Sequence, residues 1–295
     1  MNGTEVVETP NIHRTIASYI DVLKPRETIL LTFIGLCAAF IAVNGHPALG
    51  TFLLAGLAVL MGSAGANGLT NYLDRNLDAK MRRTCRRSLP AGRINPPEKV
   101  LPVTITLVVI GLAIALWLHP LCMVFGLAGV ITAVTFRKRV SCAFPQGVVA
   151  GLSPVLIGWV AFDATFSAEI VLISLLIAVW IPLHVWSVML ANREDYQSAG
   201  IGYFPLSWQT KDAVKVLLTL SFVLIITSLL LSYFASNLSW LYLLAAIVMG
   251  ILTLGSAIRL TISSNSHDAW KLYKLSSFPY LGIIFMAMCL DIWLL

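Results

Sequence analysis

The chain has 295 residues, 58% apolar and 12% charged, with 20 basic residues against 14 acidic ones and a net charge of +6. Soluble domains run at about 45–50% apolar and about 25% charged. So few charges cannot clothe a core of this size in water, which argues against an ordinary cytosolic enzyme and for the bilayer as solvent. The positive charge does not by itself indicate nucleic acid, because that reading needs a basic stripe on a soluble fold.

In chain order, Met1–Pro10 has no basic stretch followed by an apolar one, so no cleavable signal peptide is expected. Residues 13–24 place Ile16, Tyr19, Ile20 and Leu23 at helical spacing, the pattern of an interfacial helix lying on a leaflet. Residues 1–26 therefore read as a cytoplasmic N-terminal segment and 27–295 as one membrane domain. A span needs about 20 mostly apolar residues. Nine segments qualify: 27–46, 49–70, 100–118, 121–136, 145–162, 169–190, 214–233, 238–258 and 277–295. Asn44-Gly45-His46-Pro47 and His119-Pro120 join two pairs as helical hairpins. The expected fold is all-α, a polytopic bundle of nine transmembrane helices. Cys37, Cys85, Cys122, Cys142 and Cys289 are odd in number, widely spaced and without a Cys-x-x-Cys, so neither a disulfide framework nor a zinc site is indicated.

On this plan every Lys and Arg falls on one side. Arg14, Lys24 and Arg26 precede the first span, and Arg75, Lys80, Arg82, Arg83, Arg86, Arg87, Arg93 and Lys99 follow the second. Arg137, Lys138 and Arg139 follow the fourth; Arg193, Lys211 and Lys215 lie in the loop after the sixth and at the entry to the seventh; Arg259, Lys271 and Lys274 follow the eighth. The opposite side carries only Asp163, Glu169 and Asp291. By the positive-inside rule the basic side is the cytoplasm, giving N-in, C-out.

Three constellations could carry chemistry. In Gly68-Leu69-Thr70-Asn71-Tyr72-Leu73-Asp74-Arg75-Asn76-Leu77-Asp78, the residues Asn71, Asp74 and Asp78 fall within about 60° of one another on a helix. An amide and two carboxylates suit Mg²⁺, which keeps several waters and takes one or two carboxylates plus substrate phosphates. The spacing alone describes a solvated acidic helix end equally well. Next, Lys80-Met81-Arg82-Arg83-Thr84-Cys85-Arg86-Arg87 is a basic loop of the kind that sets topology and binds anionic lipid. Beside carboxylates, it could also grip a diphosphate and absorb the charge developed on leaving. Third, His184 in Trp180-Ile181-Pro182-Leu183-His184-Val185-Trp186 lies roughly 10 Å inside a span. It is either a functional intramembrane ionisable group or a neutral imidazole bonded to a carbonyl freed by Pro182. Glu194 and Asp195 follow, facing the first acidic cluster or merely capping a loop.

These residues resemble a known family. Asn71-x-x-Asp74-x-x-x-Asp78 at the end of a second span resembles the first aspartate-rich motif of the UbiA-type intramembrane prenyltransferases, and within them the protoheme IX farnesyltransferase (heme O synthase) branch. Leu23-Lys24-Pro25-Arg26, Arg83-Thr84-x-x-Arg87-x-Leu89-Pro90-x-Gly92, Pro154 to Trp159, and Trp180-x-Pro182-x-His184-x-Trp186 leading to Asp195-Tyr196 carry the likeness. It extends over about 19–210, and the last three spans show only hydrophobicity. The family has Pro at Ser88, Leu183 and Gly202, and the superfamily's second Asp-x-x-x-Asp is replaced by Glu194-Asp195-Tyr196.

The resemblance implies transfer of a farnesyl group from farnesyl diphosphate to a vinyl group of heme B, with Mg²⁺ on Asn71, Asp74 and Asp78 and with Lys80, Arg83 and Arg87 beside the departing diphosphate. Lys24, Arg26, Tyr72, Arg75, Arg93, Arg137, Lys138, Trp180, His184, Trp186, Arg193, Asp195 and Tyr196 are the implied substrate-binding residues. Heme B is then a substrate and not a permanent cofactor, and His184 ligates its iron or orients a propionate. The remaining implied partners are the lipid bilayer of the cell membrane and other heme-pathway or terminal-oxidase assembly proteins; nucleic acid is not among them. The alternatives are a quinone precursor or other lipid acceptor and, outside the enzymes, a lipid or solute transporter.

Overall fold

Proline and glycine set the helix ends. The computed structural model describes residues 12–140, 143–144, 146–235 and 237–294, and the backbone alone for 138–140. Met1–Pro10, Cys142, and the side chains of Lys138 and Arg139 lie outside the described residues. Twelve α-helices follow one another: α1 Ile12–Val22, α2 Pro25–Ala42, α3 Leu49–Asp78, α4 Leu101–Leu118, α5 Pro120–Val140, α6 Gln146–Val160, α7 Ala168–Ala191, α8 Arg193–Ser198, α9 Thr210–Phe234, α10 Trp240–Ser263, α11 Ser266–Ser276 and α12 Phe278–Leu294. A 3-10 turn, Pro97–Val100, precedes α4, and no strand occurs among the described residues. Pro25 opens α2 behind Lys24 in the left-handed region (φ 49°), and Gly45 (φ 83°) turns the α2–α3 hairpin.

The chain is an all-α, multi-pass membrane protein. Among the described residues, eight helical stretches are long and apolar enough to cross a bilayer. The expected segment 145–162 forms α6, apolar but only 15 residues long. At 1.5 Å per residue that is about 22 Å, short of a hydrocarbon core of about 30 Å. The second expected segment ends at 70, whereas α3 continues to Asp78 and spans 30 residues. Its length of about 45 Å exceeds the core thickness and carries its last turns beyond the apolar layer.

Close backbone approach holds the bundle together. A Cβ on Gly158 of α6 would sit 1.9 Å from the Gly35 carbonyl oxygen of α2, and one on Gly111 of α4 would sit 2.6 Å from the Gly62 nitrogen of α3. Without a hydrophobic drive between helices in lipid, such packing of small residues supplies the association. The last helix, α12, closes on α2. Asp291, fully buried, accepts from the backbone amides of Ser239 and Tyr242 and so caps α10 across the fold. Leu53, Leu57 and Leu60 of α3 and Val109 and Leu116 of α4 face outward, as a lipid-facing belt requires.

The helix expected over 13–24 forms, but its apolar residues divide between two faces. Ile12, Ile16 and Ile20 are exposed along one stripe of α1. Tyr19 packs with Val22, Leu89, Ile94 and Val100, while Leu23 lies against α3 at Gly68.

Candidate active site

Asn71, Asp74 and Asp78 are buried on the last turns of α3. At successive turns back along α3, Thr70, Ala66, Gly62 and Ala58 line a cavity of about 170 Å³. Small residues on α4, α5 and α6, among them Gly111, Ala115, Gly126, Gly129 and Ala150, form its other walls, and Lys24 stands at its mouth. The slot exists because residues this small leave space between helices that approach closely elsewhere. Lys24 Nζ donates to Thr70 Oγ1 at 3.4 Å, and Asn67 donates to Thr28 Oγ1 at 3.0 Å. Asn71 Nδ2 donates to the Val22 carbonyl at 2.6 Å, which leaves its own oxygen as the atom that can meet a cation.

The basic loop is pinned over this motif at three places. Arg87 Nη1 pairs with Asp78 Oδ2 at 3.1 Å, and Thr84 donates to the Asp78 carbonyl at 2.9 Å. Ser88 donates through both its amide (2.9 Å) and its hydroxyl (2.7 Å) to Asp21 of α1. Asp195 of α8 accepts from the amides of Arg82 (2.6 Å) and Arg83 (3.2 Å), while Arg83 Nη2 donates to Tyr196 Oη at 3.2 Å. Desolvation pulls the Arg83 pKa down, but Tyr196, Tyr273 and Asp78 together outweigh it and hold the guanidinium above its ordinary value. Two halves of the molecule therefore meet at Arg83, one bearing the acidic motif and the other α8 and α11.

The other expected site residues divide into two groups. Trp180 stacks on His184 (centroids 5.0 Å apart, 11° between planes), and Trp186 meets Phe204 edge-on at 4.5 Å. Arg137 donates to the Leu73 carbonyl of α3 at 3.2 Å. By contrast Tyr72 and Arg75 turn toward the 3-10 turn: Tyr72 donates to Glu98 at 3.1 Å, and Arg75 lies 4.1 Å over the Tyr72 ring. Arg193 clamps its own loop through Thr210 and the carbonyls of Leu206 and Trp208, and Arg93 donates to the Arg86 carbonyl. Arg26 and Lys80 are exposed, and the side chain of Lys138 is outside the described residues. Sequence reasoning missed Asp21, which holds Ser88, and Trp270, Tyr273 and Ser276 of α11. Their spacing of three was the available signal for a helix face.

Residues 29–278 match the model of the UbiA prenyltransferase family. The chain belongs to this family. A UbiA-family relative from Desulforudis audaxviator, named protoheme IX farnesyltransferase, is 35% identical over 294 residues, 98% of this chain and 92% of that protein. The fold matches a solved digeranylgeranylglyceryl phosphate synthase at TM-score 0.76 and 18% identity, covering 94% of this chain and 98% of that one. It also matches a UbiA homologue from Archaeoglobus fulgidus solved with GPP and Mg²⁺, at TM-score 0.61 and 14% identity, covering 92% and 99%.

The motif fits a magnesium ion by its donor chemistry. No cluster of three or more His, Cys, Asp or Glu side chains suited to a metal occurs among the described residues. Two carboxylates and an amide are present instead. That is the partial set left to the protein when a hard cation takes its remaining oxygens from water and phosphate. Arg87 beside Asp78 and Arg83 above it supply the fixed charges that a phosphate group meets bidentately.

Proposed function

We propose that this UbiA-family prenyltransferase moves a farnesyl group from farnesyl diphosphate to a vinyl carbon of heme B, giving heme O. The observation that carries this reading is the 35% identity over 98% of the chain to a protein named protoheme IX farnesyltransferase. The geometry supports it: an apolar slot reaches Lys24 and Thr70, one turn before Asp74 on α3, and the Asp78–Arg87 pair follows a turn later.

The farnesyl tail lies in the slot lined by Ala58, Gly62 and Ala115, with its diphosphate at Asn71, Asp74 and Asp78. A magnesium ion bound by those three residues supplies positive charge against the diphosphate oxygens. Arg83 and Arg87 stabilise the charge that builds as the C–O bond breaks and its electron pair leaves with diphosphate. The apolar walls keep water from the allylic cation. The vinyl π electrons of the acceptor then bond to farnesyl C1. Water captures the resulting cation beside the porphyrin ring and releases a proton, which completes a hydroxyethylfarnesyl side chain. Trp180 and Trp186 stand on the acceptor side, where π faces stabilise passing positive charge.

By the positive-inside rule, the end that holds the basic loop faces the cytoplasm. The protein then sits N-in, C-out in the cell membrane, with nine spans if α6 crosses, residues 27–295 forming one domain, and the site on the cytoplasmic side.

The test is incubation of purified protein with farnesyl diphosphate and Mg²⁺ plus either heme B or an aromatic acid, with product masses read afterwards. The expected product is heme B increased by one farnesyl group and one hydroxyl. A prenylated aromatic acid with unreacted heme overturns the acceptor assignment.

A further inference from the structure

Four successive residues, the last two of α1 and the two that follow it, each hold a different part of the acidic and basic mouth. Asp21 Oδ2 accepts both the amide (2.9 Å) and the hydroxyl (2.7 Å) of Ser88. The Val22 carbonyl accepts from Asn71 Nδ2 at 2.6 Å. Leu23 lies against Gly68, and Lys24 Nζ donates to Thr70 at the mouth of the slot. Asp21, Val22, Asn71, Arg87 and Ser88 also border one narrow gap, so the end of α1 sits between the helix that carries Asn71 and the loop that carries Arg87.

The hold on Ser88 bears on Arg87, its neighbour in the chain. Ser88 is fully buried, and neither its amide nor its hydroxyl has another acceptor among the described residues. Two buried donors left without an acceptor are costly, so without the Asp21 carboxylate the loop must shift until Ser88 finds other partners. Arg87 moves with it. Among the described residues its guanidinium meets the protein through one bond, Nη1 to Asp78 Oδ2 at 3.1 Å, which fixes a distance but not a plane. The plane decides whether two N–H groups face a phosphate together. Asp195 grips the same loop earlier, at Arg82 and Arg83, and leaves the Arg87 end to Asp21.

We infer that Asp21 is a positioning residue of the donor site: through Ser88 it sets where Arg87 stands beside Asp78, so that α1, which carries none of the aspartate-rich motif, controls the grip on diphosphate. This role rests on the reading of the mouth as the diphosphate site, and not on which acceptor is prenylated. The sign of the effect separates it from plain electrostatics. Removing a negative charge near a bound anion tightens binding by charge alone, whereas losing a positioning contact loosens it.

The test is calorimetric titration of inorganic diphosphate, with Mg²⁺ present, into the full-length protein in nanodiscs. Affinity reports the site, and stoichiometry reports the folded fraction. Asp21→Ala is expected to bind diphosphate about tenfold more weakly at unchanged stoichiometry, the size of one lost hydrogen bond to a charged group. Asp21→Asn, which keeps an acceptor oxygen, should stay within about threefold of wild type. Arg87→Gln is expected to weaken binding about tenfold or more by itself. In that background Asp21→Ala should change affinity by no more than about twofold, because residues that act through one another are not additive. Affinity in Asp21→Ala equal to or tighter than wild type overturns the inference, as does the same loss in both backgrounds. If Asp21→Ala does not fold, Ser88→Ala, which removes only the hydroxyl, is expected to weaken binding about threefold, and unaltered affinity there overturns it. Wild-type affinity in Arg87→Gln, or no binding by the wild type, overturns the donor-site reading and this role with it.

Discussion

The Asp195 carboxylate accepts a hydrogen bond from the Arg82 backbone amide at 2.6 Å, joining residues 113 positions apart in the chain. Its second oxygen takes the amide of Arg83 at 3.2 Å. A carboxylate whose two oxygens face two backbone donors acts on the site by holding the basic loop, and only indirectly on any cation.

Asp195→Asn keeps one acceptor oxygen, and Asp195→Ala keeps none. Losing one charge-assisted bond at a half-buried position costs about 1–2 kcal/mol. Diphosphate release is therefore expected to fall about tenfold in the asparagine variant and further in the alanine one. Half-saturation by Mg²⁺ should stay within about twofold of wild type in both. A Mg²⁺ titration of diphosphate release checks this; a shift in metal affinity as large as the loss of rate would make Asp195 a metal ligand.

Asp74→Asn and Asp78→Asn remove one negative charge each from the buried face of α3 while keeping its shape. Each is expected to reduce Mg²⁺-dependent diphosphate release on the order of 100-fold, the scale seen when one preorganised electrostatic contact is lost. Far-UV circular dichroism and gel filtration should match wild type, because the isosteric change adds no volume. Unchanged turnover in both variants removes the α3 motif from the reaction.

The helical spans and the acidic face on α3 were legible in the sequence because each is written within one local stretch: hydropathy over 20 residues, or three polar residues at helical phase. Tyr72 and Arg75 were read into the site for their place in the motif. Tyr72 lies about 100° round the helix from Asn71, and Tyr72 and Arg75 both engage Glu98 instead. The hold of Asp195 on the basic loop and the place of Ser276 were beyond such reading for a different reason. Their partners lie 113 and 92 residues away, and a hydrogen bond over that distance leaves no periodic trace. The cavity was hidden as well, since Gly and Ala mark close packing and empty space alike, and only the neighbouring helices decide which.

Gly158 tests the packing of α2 on α6. An alanine there would bring Cβ to 1.9 Å from the backbone oxygen of Gly35, which cannot rotate away, so the helices must separate. Overpacking of this sort costs about 1–3 kcal/mol. Gly158→Ala is expected to lower the thermal midpoint in detergent by several degrees. Gly255→Ala on α10 is the control: its Cβ meets nothing within 4 Å, and alanine favours the helix, so its midpoint should hold or rise.

The depth of the slot tests where the prenyl tail lies. Thr104 of α4 faces Gly68 of α3, and Gly111 faces Gly62 and Ala58, so the antiparallel register puts Ala115 at or just beyond Ala58. That level is about 24 Å along α3 from Asp74, and Ala115 lines the cavity there. A larger side chain at this depth meets the far end of a long tail and leaves a short one untouched. Ala115→Phe is expected to raise KM for farnesyl diphosphate about tenfold, as steric misfit of a few methylenes does, with KM for geranyl diphosphate within about twofold of wild type. Ala58→Leu, from the opposite wall, should move the same ratio in the same direction. Competition assays with the two donors read that ratio in one mixture, where a partly unfolded population cancels. An unchanged ratio in both variants places the tail outside this slot.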